Sequence, residues 1–156
     1  MCHYCGCRQM PLVRDYIAEH ERATNLGGDA VRAIDVGDFE KARRCTAQMA
    51  VELASHWRGE ENGLFRVMER EPEYAEHISP LVLEHRQLAE LLATVDVADS
   101  DDQERIRVAV IDLHEHIRKE EDGLFPASLT ALSGADWDAS MAAWHEAHPG
   151  EDLISD

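Results

Sequence analysis

Phe, Trp and Tyr together make up only 6% of this 156-residue chain, and it contains no long run of apolar residues. With few aromatics and many Ala, Leu, Glu and Arg residues, the composition favours helices over sheets. The lack of a long apolar run excludes a membrane-spanning helix, and the polar N-terminal sequence predicts no signal peptide. Phosphate-binding loops, dinucleotide fingerprints and the nucleophile elbow of hydrolases are also missing. We therefore expect a helical, cytoplasmic protein.

Basic residues are also few, since 15 Lys and Arg stand against 32 Asp and Glu, which gives a net charge of −17. Such an acidic surface would repel phosphate backbones and anionic lipid headgroups. We therefore expect neither a nucleic-acid partner nor a membrane partner, and the acids are most simply a solvated surface. Apolar residues account for 44% of the chain, which is enough for one packed core at this length.

Apolar residues recur at helical spacing in four long segments, and no segment alternates polar and apolar residues as a strand would. Because the connections between these segments are short, they favour an all-α, up-down-up-down four-helix bundle over residues 11–132. Residues 1–10 form a short Cys-rich segment before the bundle. Residues 133–156 are predicted to form a short fifth helix and a tail.

Glycine and proline mark the predicted ends and bends of these helices. The second helix is predicted to run from Phe39 to Arg70, since Pro72 disfavours its continuation. Gly27 and Gly28 lie inside the first helix and are predicted to bend or split it.

One sequence pattern occurs twice in the chain, as HWRGEENGLF at 56–65 and HIRKEEDGLF at 116–125. The dipeptide EH also occurs twice, at 19–20 and 84–85, once in each half of the chain. Each half is therefore predicted to be a helical hairpin with one His on its first helix and His-x-x-x-Glu on its second. The two halves therefore resemble two copies of one ligand-binding motif.

Residues four apart lie on the same face of a helix, so the His and Glu of each repeated pattern point the same way. All the candidate ligands fall on apolar stripes that face the interior: His20, His56, Glu60, His85, His116 and Glu120. Burying these groups is costly without a compensating charge, which a pair of metal ions would supply. A single His or a single His–Glu pair would be an ordinary core or surface feature, but a matched set on four helices favours metal binding. Mixed imidazole and carboxylate ligands suit iron, manganese or zinc better than calcium or magnesium.

Other residues near the repeated pattern have more than one reading. Glu61 and Glu121 are rotated off the ligand face, so we expect them to face solvent or to lie behind the ligands. Gly63 and Gly123 either allow close helix packing, the commoner reason, or leave room for a small ligand. Tyr16 lies one turn before the first candidate His, and its hydroxyl could approach the metal, although a place at the rim of the core is the simpler interpretation.

Three of the four cysteines lie within six residues, in CHYCGC: Cys2, Cys5 and Cys7. A reducing compartment argues against disulfides, so these are thiols or metal ligands. They could hold zinc if His145 or His148 supplied a fourth ligand, because the fourth helix is predicted to end near the N-terminus. An unstructured, reactive segment is an equally good reading. The nearby HEAH at 145–148 lacks the spacing of zinc proteases.

The whole set of candidate ligands resembles the hemerythrin-like (HHE cation-binding) family. The resemblance lies in AEHERA, HWRGEE, LEHRQL and HIRKEE, and it extends over roughly residues 11–132, nearly the whole chain. It implies a four-helix bundle with a non-heme centre of two iron ions, oxo- or hydroxo-bridged. It further implies that the four histidines are iron ligands and that Glu60 and Glu120 are the bridging carboxylates.

Two departures from the oxygen-carrying hemerythrins affect the expected function. Those proteins have a second His where this chain has Ala89, and an Asp late in the fourth helix where this chain has Glu120 one turn after its His. Fewer His ligands would leave more positions open to an exogenous ligand, which disfavours simple oxygen storage.

The resemblance implies binding or reduction of a small oxidant (O2, H2O2 or NO), in sensing or in defence against oxidative or nitrosative stress. Whether the protein is an enzyme that reduces peroxide or oxygen is left open, and its redox partner is unknown. The alternative is iron storage, iron delivery or iron–sulfur cluster repair that uses the N-terminal cysteines. A structural zinc or iron bundle that acts as an interaction module ranks last.

Overall fold

The computed structural model describes residues 6–155, and all regular structure in that range is helical. No described helix is long and apolar enough to cross a membrane. Its α-helices are, in order, α1 (Val13–Asp35), α2 (Phe39–Asn62), α3 (Leu64–Met68), α4 (Pro72–Thr94), α5 (Ser100–Lys119), α6 (Phe125–Ala131) and α7 (Gly134–Ala147). A single 3-10 turn (Cys7–Gln9) precedes α1, and a π-helical turn (Glu120–Leu124) joins α5 to α6.

The four long helices enclose a common interior. Helix α1 packs against α2 and α5, and α4 packs against the same two helices. One apolar cluster in this interior includes Tyr16, Phe65 and Phe125. A second includes Leu53 and Leu113, which lie on the other side of the repeated histidines along the bundle axis. The connections between the long helices are short, as the predicted up-down-up-down order requires.

Helix α7 begins with a capping box formed by Ser133 and Asp136. The Ser133 hydroxyl accepts a hydrogen bond from the Asp136 amide at 3.2 Å, and the Ser133 amide donates to the Asp136 carboxylate at 3.0 Å. This reciprocal pair satisfies amide groups that the first turn of a helix leaves without partners. The short fifth helix predicted after residue 133 is therefore present, and it packs against α2.

The predicted end of the second helix is wrong, and the first helix is not split at Gly27 and Gly28; close packing explains both findings. The second helix does not reach Arg70, because Gly63 (φ −108°, ψ −99°) ends α2 and separates it from α3. Helix α1 runs through Gly27 without a break. There a β-carbon would lie 3.2 Å from a methyl group of Val110, so glycine lets α5 approach α1.

The two copies of the repeated pattern have different backbones. The first breaks at Gly63, whereas the second continues through the π-helical turn Glu120–Leu124. A β-carbon on Gly63 would lie 3.1 Å from the backbone of Ser140 in α7, whereas one on Gly123 would approach nothing closer than His77, at 4.0 Å. Close packing thus explains the first glycine only.

We expect Gly63→Ala to lower the stability of the metal-free protein by about 2–3 kcal/mol, since a β-carbon would also lie 2.8 Å from the Gly59 carbonyl oxygen. In a chain of this size that corresponds to a fall in melting temperature of about 5–10 °C. Gly123→Ala is the matched control and should leave the melting temperature unchanged or slightly higher, because alanine favours helix. Equal losses in the two variants would contradict this account of the repeat.

Candidate metal centre

The structure brings the six predicted ligand side chains together in the bundle interior, and all are buried: His20, His56, Glu60, His85, His116 and Glu120. The imidazoles form two pairs. The Nε2 atoms of His20 and His56 are 3.1 Å apart, and those of His85 and His116 are 3.0 Å apart. Each pair therefore joins the first and second long helix of one half of the chain.

The two carboxylates lie between the imidazole pairs. One Glu60 oxygen is 3.4 Å from His56 Nε2, and the other is 3.5 Å from His85 Nε2. A Glu120 oxygen is 2.6 Å from His116 Nε2 and 3.9 Å from His20 Nε2. Each carboxylate thus reaches one imidazole of each pair, which is the arrangement that a bridging ligand needs.

The four oxygens of Glu60 and Glu120 are all buried, and apart from the ring-nitrogen contacts given above none has a hydrogen-bond partner among the described residues. Buried carboxylates without partners are rare because losing their hydration is costly. The oxygens and the ring nitrogens form two groups whose members lie within 4.8 Å of one another, and the groups share Glu120. A pair of cations would give every orphaned oxygen a partner, so these residues fit a two-metal centre.

The same crowding shifts the pKa values of the centre. Burial raises the pKa of Glu60 well above its ordinary value, and the neighbouring Glu120 carboxylate adds to the rise. Burial alone would lower the pKa of His56, but the carboxylates of Glu60 and Glu19 outweigh it and raise that pKa well above its ordinary value. A metal cation favours the ionised carboxylate and the neutral imidazole, so metal binding competes with protons at these positions.

The glutamate of each repeated EH dipeptide contacts an imidazole of the neighbouring helix. A Glu84 oxygen is 2.6 Å from His116 Nδ1, and a Glu19 oxygen is 3.4 Å from His56 Nδ1. A carboxylate on one ring nitrogen fixes the orientation of the ring and leaves the other nitrogen for a metal. The sequence analysis identified both occurrences of this dipeptide but gave a role to its histidine alone. The repetition of the glutamate beside each histidine was the signal that could have indicated its role.

The second glutamate of each repeated pattern contacts the remaining two histidines. A Glu121 oxygen is 2.8 Å from His20 Nδ1, whereas a Glu61 oxygen lies 3.6 Å from His85 Nδ1, too far for a hydrogen bond. These glutamates were expected either to face solvent or to lie behind the ligands. Glu121 lies behind a candidate ligand, and Glu61 lies near one while its side chain is also partly exposed to solvent. All four histidines thus have a carboxylate near their outer nitrogen.

Helix α7 covers one side of the centre. The buried Glu19 carboxylate contacts His148 Nε2 and accepts a hydrogen bond from Trp144 Nε1 at 3.4 Å. Trp144 and His148 also stack, with ring centroids 4.1 Å apart, and His148 Nδ1 lies 2.7 Å from the Trp144 carbonyl oxygen. Sequence reasoning did not find this contact, because it joins residues 125 or more positions apart.

The structure describes only some residues of the predicted zinc site. Cys2 and Cys5 lie outside the described residues, and Cys7 is buried in the 3-10 turn. His145 is exposed, whereas both ring nitrogens of His148 already have protein partners. Zinc at the cysteines therefore stays a prediction.

The other side of the centre opens into a groove between α4 and α5, with a volume of about 610 Å³. Its walls include Trp57, Leu88 and Leu113, and it extends to His85 and His116. The Trp57 ring stacks on the His85 ring at a centroid distance of 4.8 Å. Solvent thus approaches the centre from the His85 and His116 side, while α7 closes the His56 side.

A helical bundle that encloses paired imidazoles and shared carboxylates defines a class of cation-binding proteins. The family model described as hemerythrin HHE cation binding domain matches residues 12–128, and the chain belongs to this family. The family in general holds two irons, which implies iron as the cation of this centre. Comparison with curated proteins and with solved structures gave no match.

Proposed function

We propose that this protein holds two iron ions and binds or reduces a small oxidant (O2, H2O2 or NO) at the pair. The observation that supports it best is that four buried carboxylate oxygens face two imidazole pairs and have no other hydrogen-bond partner among the described residues. His20 and His56 would hold one iron and His85 and His116 the other, with Glu60 and Glu120 joining them. The up-down-up-down order of the long helices belongs to the same proposal.

Two adjacent irons would supply two electrons together to a small oxidant. The chain's own part is to hold and orient the ligands. Glu19, Glu84 and Glu121 contact outer ring nitrogens and keep the inner ones aimed at the metals. Buried apolar clusters on both sides limit water at the centre.

The groove between α4 and α5 supports a small, uncharged oxidant. Apolar side chains such as Trp57, Leu88 and Leu113 line part of it. Acidic residues such as Glu104 and Asp112 also lie along it, so it favours O2, NO or H2O2 over larger anions. Sensing, or defence against oxidative or nitrosative stress in the cytoplasm, is the role we propose for such chemistry.

A second candidate function is iron storage, iron delivery or iron–sulfur cluster repair that uses the N-terminal cysteines. It is favoured by a contact between the Cys-rich end of the chain and the centre. Arg8, which directly follows Cys7, pairs with Glu121 at 2.6 Å, and Glu121 contacts His20. The N-terminal segment is thereby connected to a candidate iron ligand.

Elemental analysis of anaerobically and aerobically purified protein should give two irons per chain. Loading should raise the melting temperature by about 10 °C or more, because metal binds the folded state alone. The absorption spectrum should change on reduction and on adding O2, peroxide or NO. Less than one iron per chain, or a spectrum indifferent to all three oxidants, would overturn the first candidate.

The same measurements on a Cys2/Cys5/Cys7 triple Ser variant separate the two candidate functions. Unchanged iron content and unchanged spectral responses favour oxidant chemistry at the bundle. Loss of bound zinc or of iron release in the variant favours the second candidate.

A further inference from the structure

Tyr16 is fully buried, with 0% of its surface exposed, and its hydroxyl has no hydrogen-bond partner among the described residues. It lies on α1 one turn before His20. A buried donor without an acceptor lowers the stability of a protein, so each such group needs an explanation. The expected place at the rim of the core is therefore wrong, since Tyr16 lies inside the apolar cluster next to the centre.

The surroundings of Tyr16 hold its ring against the centre. Its ring meets the His56 ring edge-on, with centroids 5.6 Å apart, and stacks on the Phe125 ring at 5.6 Å. A tyrosine hydroxyl is a hydrogen-bond donor at neutral pH, because a phenol ordinarily ionises only at about pH 10.

We propose that Tyr16 is the hydrogen-bond donor to a small anion bound at the two-metal centre, such as azide or the hydroperoxide anion. The inference rests on the proposed function, because it requires the metals to hold the anion. The donor lacks an acceptor within the described chain, and a bound anion would supply one. A single neutral O–H favours ligands that carry negative charge over neutral nitric oxide, so Tyr16 selects peroxide-type ligands.

Tyr16→Phe removes only the hydroxyl, and Tyr74→Phe is the matched control, because Tyr74 is half-buried against the same apolar cluster. Without metal, Tyr16→Phe should raise the melting temperature by about 2–4 °C, since an orphaned polar group is lost. With iron bound, its iron content should be unchanged and its Kd for azide should rise about tenfold. Its affinity for nitric oxide should change less than about twofold. The control should match the wild type throughout.

Several results would overturn this role for Tyr16. A lower melting temperature in metal-free Tyr16→Phe would mean that the hydroxyl has a partner within the protein. An unchanged Kd for azide at normal iron content would remove the donor role, and a loss of iron would assign the hydroxyl to supporting the bridging carboxylates. If the wild-type protein holds no iron, the proposed function is overturned as well. Because this result comes from the wild type, it can be distinguished from a failure of the Tyr16 proposal alone.

Discussion

Replacing Glu60 and Glu120 with glutamine together is expected to abolish iron binding, from two irons per chain to almost none. Each carboxylate reaches both imidazole pairs, so the double variant removes the only candidate bridging ligands in the described chain. The loss of affinity should exceed the about 10–100-fold that outer residues of a metal site typically cost. Elemental analysis after iron loading measures it.

The stability of the same variant should move in the opposite direction. Neutral amides cost less to bury than a pair of carboxylates, so the metal-free double variant should melt no lower than the metal-free wild type. Glu115→Ala is the control, because Glu115 is exposed and pairs with Arg118 on the surface. A double variant that still holds two irons would exclude the carboxylates as metal ligands.

Glu19→Ala is expected to destabilise the metal-free protein by about 3–5 kcal/mol, a fall in melting temperature on the order of 10 °C. The change would leave Trp144 and His148, both buried, without their acceptor, and would remove the carboxylate that faces His56. Burial alone would raise the pKa of Glu19, but contacts with His56 and His148 lower it. The carboxylate is therefore charged, and it contacts His56, His148 and Trp144. Thermal melts and urea unfolding measure the loss.

Glu84→Ala is the matched variant, since Glu84 holds the equivalent position in the second half of the chain. Its side chain is 36% exposed and pairs with Lys119 at the surface, so we expect a stability loss within about 1 kcal/mol. Both variants should lose about 10–100-fold in iron affinity, because each removes a carboxylate from the outer nitrogen of a candidate ligand. Similar melting temperatures for the two would contradict the role given to α7.

The inward orientation of the four histidines and two glutamates could be predicted from the sequence, because helical spacing and the repeated pattern are local features. His56 and Glu60 lie one turn apart on an apolar stripe, and the second copy of the pattern repeats that spacing. The helical class follows from the same periodicity. Cys45 is likewise buried, as expected of a small apolar side chain.

The differences between the two halves could not be read from the repeated pattern. Gly63 and Gly123 occupy equivalent positions in segments that share seven of ten residues, yet of these two glycines only Gly63 packs against α7. The contact of Glu19 with His148 likewise joins distant parts of the chain. Such asymmetry depends on which surface a third segment covers, and helical periodicity carries no information about that choice.

The placement of α7 makes the two halves of the centre unequal in their tolerance of change. This helix lies outside the repeated pattern, and among the described residues it contacts the acid–imidazole pair of the first half, through Glu19. Substitutions along it therefore act on a single copy, and the other can accept changes around its solvent-facing opening independently. The half that α7 covers is thus suited to serve as a rigid anchor, and the half beside the groove to serve as an entrance.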